Sequence, residues 1–203
     1  LPEAMLNYLS RLGWSHGDDE LFTAEQMVAW FDGSHLSKSP AQWDPAKLDW
    51  VNAHYIKQAD DSRLASWLVV RLGQEGLNVS PERLAPMVRL YKDRCATQLQ
   101  LAEWVRLHFV RPEISDADRA QHLTDAVRPA VQALAQRLDA LQAWDATSIS
   151  AAFKACLAEF GLKMPQLAIP VRVLACGRSQ TPSVDAVLAL FDKKVLVERL
   201  QAY

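Results

Sequence analysis

The chain has 203 residues, 50% of them apolar and 23% charged, with a formal net charge of −2. That is enough apolar material for a buried core in about one to three small domains, and too even a charge to coat nucleic acid wholesale. No apolar run approaches the roughly 18 residues that span a bilayer and no basic-then-apolar leader opens the chain, so no membrane partner and a cytoplasmic location are expected.

Helical signals follow one another from end to end. The chain opens at Leu1, without a methionine, inside what reads as a helix, and is expected to be a piece of a longer protein. Thr23 with Gln26 makes a capping box ahead of Met27, Val28 and Phe31. Asp44-Pro45 supplies an N-cap and a first-turn proline, after which Leu48, Val51 and Tyr55 recur at helical spacing. Ser80-Pro81 repeats the signal before Leu84, Met87, Val88 and Tyr91. The clearest helix begins at Ser115, with Asp116 and Asp118 in its first turn, where the helix dipole favours negative charge. Its apolar stripe of Ala117, Ala120, Leu123, Val127, Val131, Leu134, Leu138 and Leu141 runs on through an expected kink at Pro129. Another helix runs from about Ser148 to Phe160 and stops at Gly161. Thr181-Pro182 starts the last, ahead of Val184, Val187, Leu188 and Phe191. No Asn-Gly hairpin and no sustained alternation appears, so the expected fold is all α, with breaks near 57–62, 111–112, 161–165 and 177–181.

Few residues advertise chemistry. Cys95, Cys156 and Cys176 are widely spaced and odd in number, without CxxC or finger spacing, so neither a disulfide partner nor a metal site is expected. The histidines stand at no motif spacing from a nucleophile; a Ser/His/Asp triad assembles in space, and nothing here supports one. Trp14, Trp30, Trp43, Trp50, Trp67 and Trp104 fall among apolar periodic positions and are expected in the core rather than under nucleic-acid bases. Two mildly basic blocks, 60–112 and 163–203, alternate with two acidic ones, 1–59 and 113–162. This pattern suits local contacts to an RNA better than a broad basic face, and ordinary solvated helices also produce it. A helical adaptor or scaffold with no RNA role is therefore the competing reading.

The strings Leu1–Glu20 and Phe31–Ile56 resemble bacterial glutamyl-tRNA synthetases, in the segment that joins the catalytic domain to the anticodon-binding end. The segments 90–99 (Leu-Tyr-Lys-Asp-Arg-Cys-Ala-Thr-Gln-Leu) and 166–184 resemble that family's two anticodon-binding subdomains. The resemblance implies a stem-contact helical segment at 1–59 and anticodon-binding subdomains at 60–112 and 113–203. It implies glutamate tRNA as partner and a monomeric parent that joins glutamate to that tRNA using ATP and Mg²⁺. No catalytic residue, cofactor or metal is expected in this chain itself. His35-Leu36-Ser37-Lys38-Ser39 looks like the ATP-binding KMSKS loop of class I synthetases, but no nucleotide fold precedes it. Ser37 and Lys38 are read as a structural turn that also touches tRNA backbone.

The resemblance places Arg94 at the third anticodon base. Its donors match the N3 and O2 acceptors of cytosine, whereas guanine offers mainly N–H donors on that edge. Read alone, Arg94 would sooner cap helix carbonyls or pair with Asp93 than read a base. Thr181, Pro182 and Val184 fall on a second anticodon corner at a helix start. Where the family often has Gly between them, this chain has Ser183, which puts any role for positive φ in doubt. Lys92, Arg172 and Arg178 are further candidates for tRNA backbone contacts.

Overall fold

Proline and small polar caps dictate most of the helix starts. In the structure, a computed structural model that describes residues 1–38 and 40–203, α1 spans Pro2–Gly13 and α2 spans Ala24–Trp30. Thr23 Oγ1 accepts from the Gln26 amide at 3.2 Å and Gln26 Oε1 accepts from the Thr23 amide at 2.8 Å, which is the expected capping box. Helix α3, Pro45–Gln58, begins under Asp44, whose carboxylate accepts from the Lys47 amide. Then come α4 (Asp61–Gly73), α5 (Pro81–Tyr91, capped by Ser80), a 3-10 turn at Lys92–Arg94, and α6 (Gln98–Arg106). The remaining helices are α7 (Asp116–His122), α8 (Arg128–Ala140), α9 (Ala146–Phe160), α10 (Met164–Cys176), α11 (Val184–Ala189) and α12 (Lys193–Gln201). Among the described residues there is no strand, only an isolated antiparallel bridge between Trp14 and Leu36. The fold is all α, as expected. No helix among them is long and apolar enough to cross a membrane.

The chain divides into two units, Leu1–Glu103 and Trp104–Tyr203. In the first, α1 packs on α3 and α4 on α5. Leu64, Leu68 and Leu72 face Leu84, Met87, Val88 and Tyr91, all fully buried; each large side chain contributes about 1.5–3 kcal/mol of apolar burial. Buried Asn7 joins α1 to its neighbours: its Oδ1 accepts from the Phe22 amide at 3.2 Å and the Tyr55 hydroxyl at 3.1 Å, and its Nδ2 donates to the Glu20 carbonyl. Beside this network, Met27, Val28, Phe31 and Leu36 line an apolar groove under Trp14. Val28, Phe31 and Leu36 keep more than half of their surface in solvent.

In the second unit α8 packs on α9 and α12, and α10 on α12. The long helix expected from Ser115 is two helices. Leu123 leaves helical geometry (φ −104°, ψ 70°) and the chain re-enters at Val127. Proline has no N–H to donate and disfavours helical geometry in the residue before it, so Pro129 sits in the first turn of α8 instead of kinking a longer helix. The stripe from Val127 to Leu138 is the core-facing part; Ala117 and Ala120 are exposed. Gly161 ends α9 in the left-handed region (φ 63°), as expected.

The tryptophan expectation needs correction. Trp14 is buried, but Trp43, in the loop ahead of α3, and Trp50, on the outward face of α3, are about half exposed. Trp43 meets the edge of Tyr8 at 5.1 Å, and Lys47 lies over the Trp50 ring at 4.2 Å. The three cysteines are free and buried, and burial pushes the Cys176 thiol up to about 12, leaving it a neutral core group.

Candidate nucleic-acid interface

Arg94 ends the 3-10 turn after α5, and its side chain is exposed with no hydrogen bond or ion pair among the described residues. It neither caps a carbonyl nor pairs with Asp93. The residues on either side of the Asp93–Arg94 pair are fixed. Tyr91 is fully buried, and the buried Cys95 thiol donates to the Tyr91 carbonyl at 3.3 Å. The Ala96 amide donates to Gln100 Oε1 at 2.7 Å, and Thr97 Oγ1 accepts from the Gln100 amide. Lys92 points the other way. Its ammonium donates to the Ala59 carbonyl at 2.9 Å and pairs with Asp61 at 2.7 Å, so it is engaged inside the protein. The Asp61 carboxyl is held below its ordinary value, first by Lys92 and then by Arg89, whose Nε lies 3.1 Å away.

The second corner follows α10. Gly177 caps that helix at φ 64°, and a Cβ there would meet the Glu113 carbonyl oxygen at 2.8 Å and Pro112 Cβ at 2.9 Å. Glycine is required for both backbone shape and space. Arg178 lies over Trp104 at 4.4 Å. Thr181 is not the helix cap: its hydroxyl donates to the Pro182 carbonyl at 2.8 Å, and α11 starts one step later, with Ser183 in the capping place at φ −47°. Ser183 therefore needs no positive φ. Pro182 and Val184 are buried, Thr181 is half-buried, and Arg172 on α10 has a buried Nε without a hydrogen-bond partner among the described residues.

Two residues that sequence reasoning passed over hold these corners. Buried Arg199 donates through one Nη to the carbonyls of Leu107 at 2.7 Å and Ala175 at 2.6 Å, closing the end of α10. Asn52, on the core face of α3, donates to the Ala96 carbonyl at 2.5 Å. A lone Asn amid the apolar positions of α3 was the available signal, since a buried amide must find partners. In the N-terminal loop the Ser37 amide donates to the Gly13 carbonyl at 2.9 Å, tying the loop to the end of α1, and Lys38 is exposed; Ser39 lies outside the described residues.

The sequence profile of the family described as an anticodon binding domain matches residues 48–203. The chain belongs to the anticodon-binding domain family. Curated relatives of this anticodon-binding chain include the glutamate–tRNA ligases of Leptothrix cholodnii, 51% identical, and Bordetella petrii, 55% identical, each matched over 100% of this chain and 43% of its own length. The chain thus spans less than half the length of the relatives it matches. The crystal structure of a glutamate tRNA ligase from Elizabethkingia meningosepticum in complex with its amino acid superposes with a TM-score of 0.90 at 22% identity, over 100% of this chain and 40% of that one. At that identity the likeness speaks for the anticodon-binding fold.

Proposed function

We propose that this chain is the tRNA-binding, anticodon-reading part of a glutamate–tRNA ligase, with Arg94 reading the third anticodon base. The observation that carries the reading is an exposed guanidinium, without a partner among the described residues, on a turn anchored on both sides by Lys92 and Ala96. A preorganised donor array loses little entropy on binding and discriminates sharply, because a wrong base leaves its donors facing donors. Cytosine accepts at N3 and O2; guanine in its place presents N–H groups. Thr181, Pro182 and Val184 form the second contact corner. Given their burial, Pro182 and Val184 act there by shaping the backbone and Thr181 by its exposed edge. Arg172, Arg178, Ser37 and Lys38 remain the proposed backbone contacts, whereas Lys92 is better read as a structural cation.

The parent would join glutamate to its tRNA in the cytoplasm, as a monomer, with ATP and Mg²⁺ used in a part of the protein outside this chain. Among the described residues no group of three or more His, Cys, Asp or Glu is placed to hold an ion. What these residues do is bind and orient the anticodon. The test is kcat/KM of the full-length enzyme with glutamate tRNA and with the same tRNA carrying guanine at the third anticodon base. The reading expects a strong preference for cytosine in wild type that falls in Arg94→Gln; an unchanged ratio removes Arg94 as the reader.

A further inference from the structure

We infer that Asn52 and Lys92 are positioning residues for anticodon discrimination, clamping the Arg94 turn from both sides; this rests on the reading of Arg94 above. The turn contains two backbone anchors that neither α5 nor α6 supplies. Two residues before Arg94, Lys92 reaches back to the Ala59 carbonyl at 2.9 Å and to Asp61, fixing the turn to the junction between α3 and α4. Two residues after it, the Ala96 carbonyl accepts from Asn52 Nδ2 at 2.5 Å, fixing the turn to the middle of α3. Arg94 is the one side chain of the four-residue span 92–95 that is both exposed and uncommitted among cations, with Cys95 buried beneath it.

The physical consequence concerns aim. A guanidinium distinguishes cytosine from guanine only if its fork meets the base edge at hydrogen-bonding distance, and a shift of about 1 Å in such a constellation can cost up to a hundredfold. A long flexible side chain cannot supply that precision itself; its backbone must be held. Both anchors are partly shielded: the Lys92 and Asp61 side chains keep 17% and 22% of their surface, and Asn52 keeps 9%. Helix α3 therefore does more than connect elements. It sets the height at which Arg94 stands, although Asn52 lies more than forty residues away in sequence.

The experiment uses the full-length enzyme and the cytosine-over-guanine ratio of kcat/KM. Asn52→Asp keeps size and the acceptor but replaces the donor facing Ala96 with an oxygen; it should lower the ratio about fivefold, the worth of one hydrogen bond. Lys92→Met should lower it similarly, and Lys92→Arg, which still donates toward Ala59 and Asp61, should restore most of it. Because both residues act through Arg94, the double variant Asn52→Asp/Arg94→Gln should be no less discriminating than Arg94→Gln alone. Unchanged ratios in both Asn52→Asp and Lys92→Met, or losses that add in the double variant, would overturn the inference. If Asn52→Asp does not fold, Lys92→Met decides on the same ratio. A ratio that falls in Arg94→Gln alone refutes only the clamp; one that does not fall even there refutes the base-reading role on which the clamp depends.

Discussion

At the scale of single residues the molecule separates an exposed, uncommitted cation, Arg94, from charges engaged inside the fold. Arg94→Gln replaces a donors-only group with one that offers both a donor and an acceptor, so it should reduce the preference for cytosine over guanine by about 1–3 kcal/mol, measured as the kcat/KM ratio. Asp61 belongs to the second class. Its carboxyl is held below the ordinary value by Lys92 and Arg89, so its contribution is complete above the usual carboxylate range and disappears as pH falls through it. The gap in unfolding midpoint between wild type and Asp61→Asn should accordingly be widest above about pH 5 and narrow progressively as pH falls below the ordinary Asp value of about 3.9. A constant gap would mean that the Asp61 charge contributes nothing. Part of this was legible in sequence: the Asp44, Ser80 and Thr23 caps stand where local chemistry put them, whereas Arg94 was singled out by the family resemblance alone. The Asn52 anchor was not, because a hydrogen bond spanning 44 residues is set by tertiary packing and leaves only a polar letter on an apolar face. Nor was the partner of Lys92, a proposed tRNA backbone contact: its carboxylate is brought close by the α4–α5 pairing, which the position of the lysine in the sequence does not announce.

At the scale of elements, helix ends carry the information. Gly161 and Gly177 end α9 and α10 with nearly the same φ, 63° and 64°, yet their surroundings differ. A Cβ on Gly161 would meet nothing within 4 Å, whereas on Gly177 it would press into the Glu113 carbonyl and Pro112. Gly161→Ala should therefore cost about 1 kcal/mol, the conformational penalty alone. Gly177→Ala should cost more than about 2 kcal/mol, since backbone must also move. Urea unfolding of the two variants checks the order, and equal costs would show that the 112–113 segment yields freely. The split between α7 and α8 was the chief error at this scale. Periodicity persists across Leu123 to Val127 because both helices happen to present apolar residues in phase, and only the position of Pro129 argued otherwise. The start of α11 was placed slightly early, since Thr-Pro resembles a cap even when the threonine hydroxyl is spent on its neighbour's carbonyl.

At the scale of the whole molecule, the low net charge means that affinity for RNA must come from a few committed cations. Several cations are paired in place: Arg63 with Glu3, Arg71 with Glu75, Arg89 and Lys92 with the single carboxylate of Asp61, and Arg137 with Glu159. Salt dependence should therefore be shallow for a nucleic-acid binder. In filter binding of the full-length enzyme to glutamate tRNA, Arg178→Ala should flatten the slope of log affinity against log salt by up to about 0.9, one phosphate contact, while Lys92→Met should leave it unchanged. A flattened slope in Lys92→Met would return that lysine to the phosphate contacts. The groove of Met27, Val28, Phe31 and Leu36 bears on how such samples behave in the tube. Handled as an isolated 203-residue preparation, the chain carries a greasy face in its fully native state, so it should light up an environment-sensitive dye without any unfolding and scatter more light as it is concentrated. A single lysine at the rim, Val28→Lys, should quieten both signals while leaving the melting temperature in place, because the Val28 side chain is 74% exposed and supports no core.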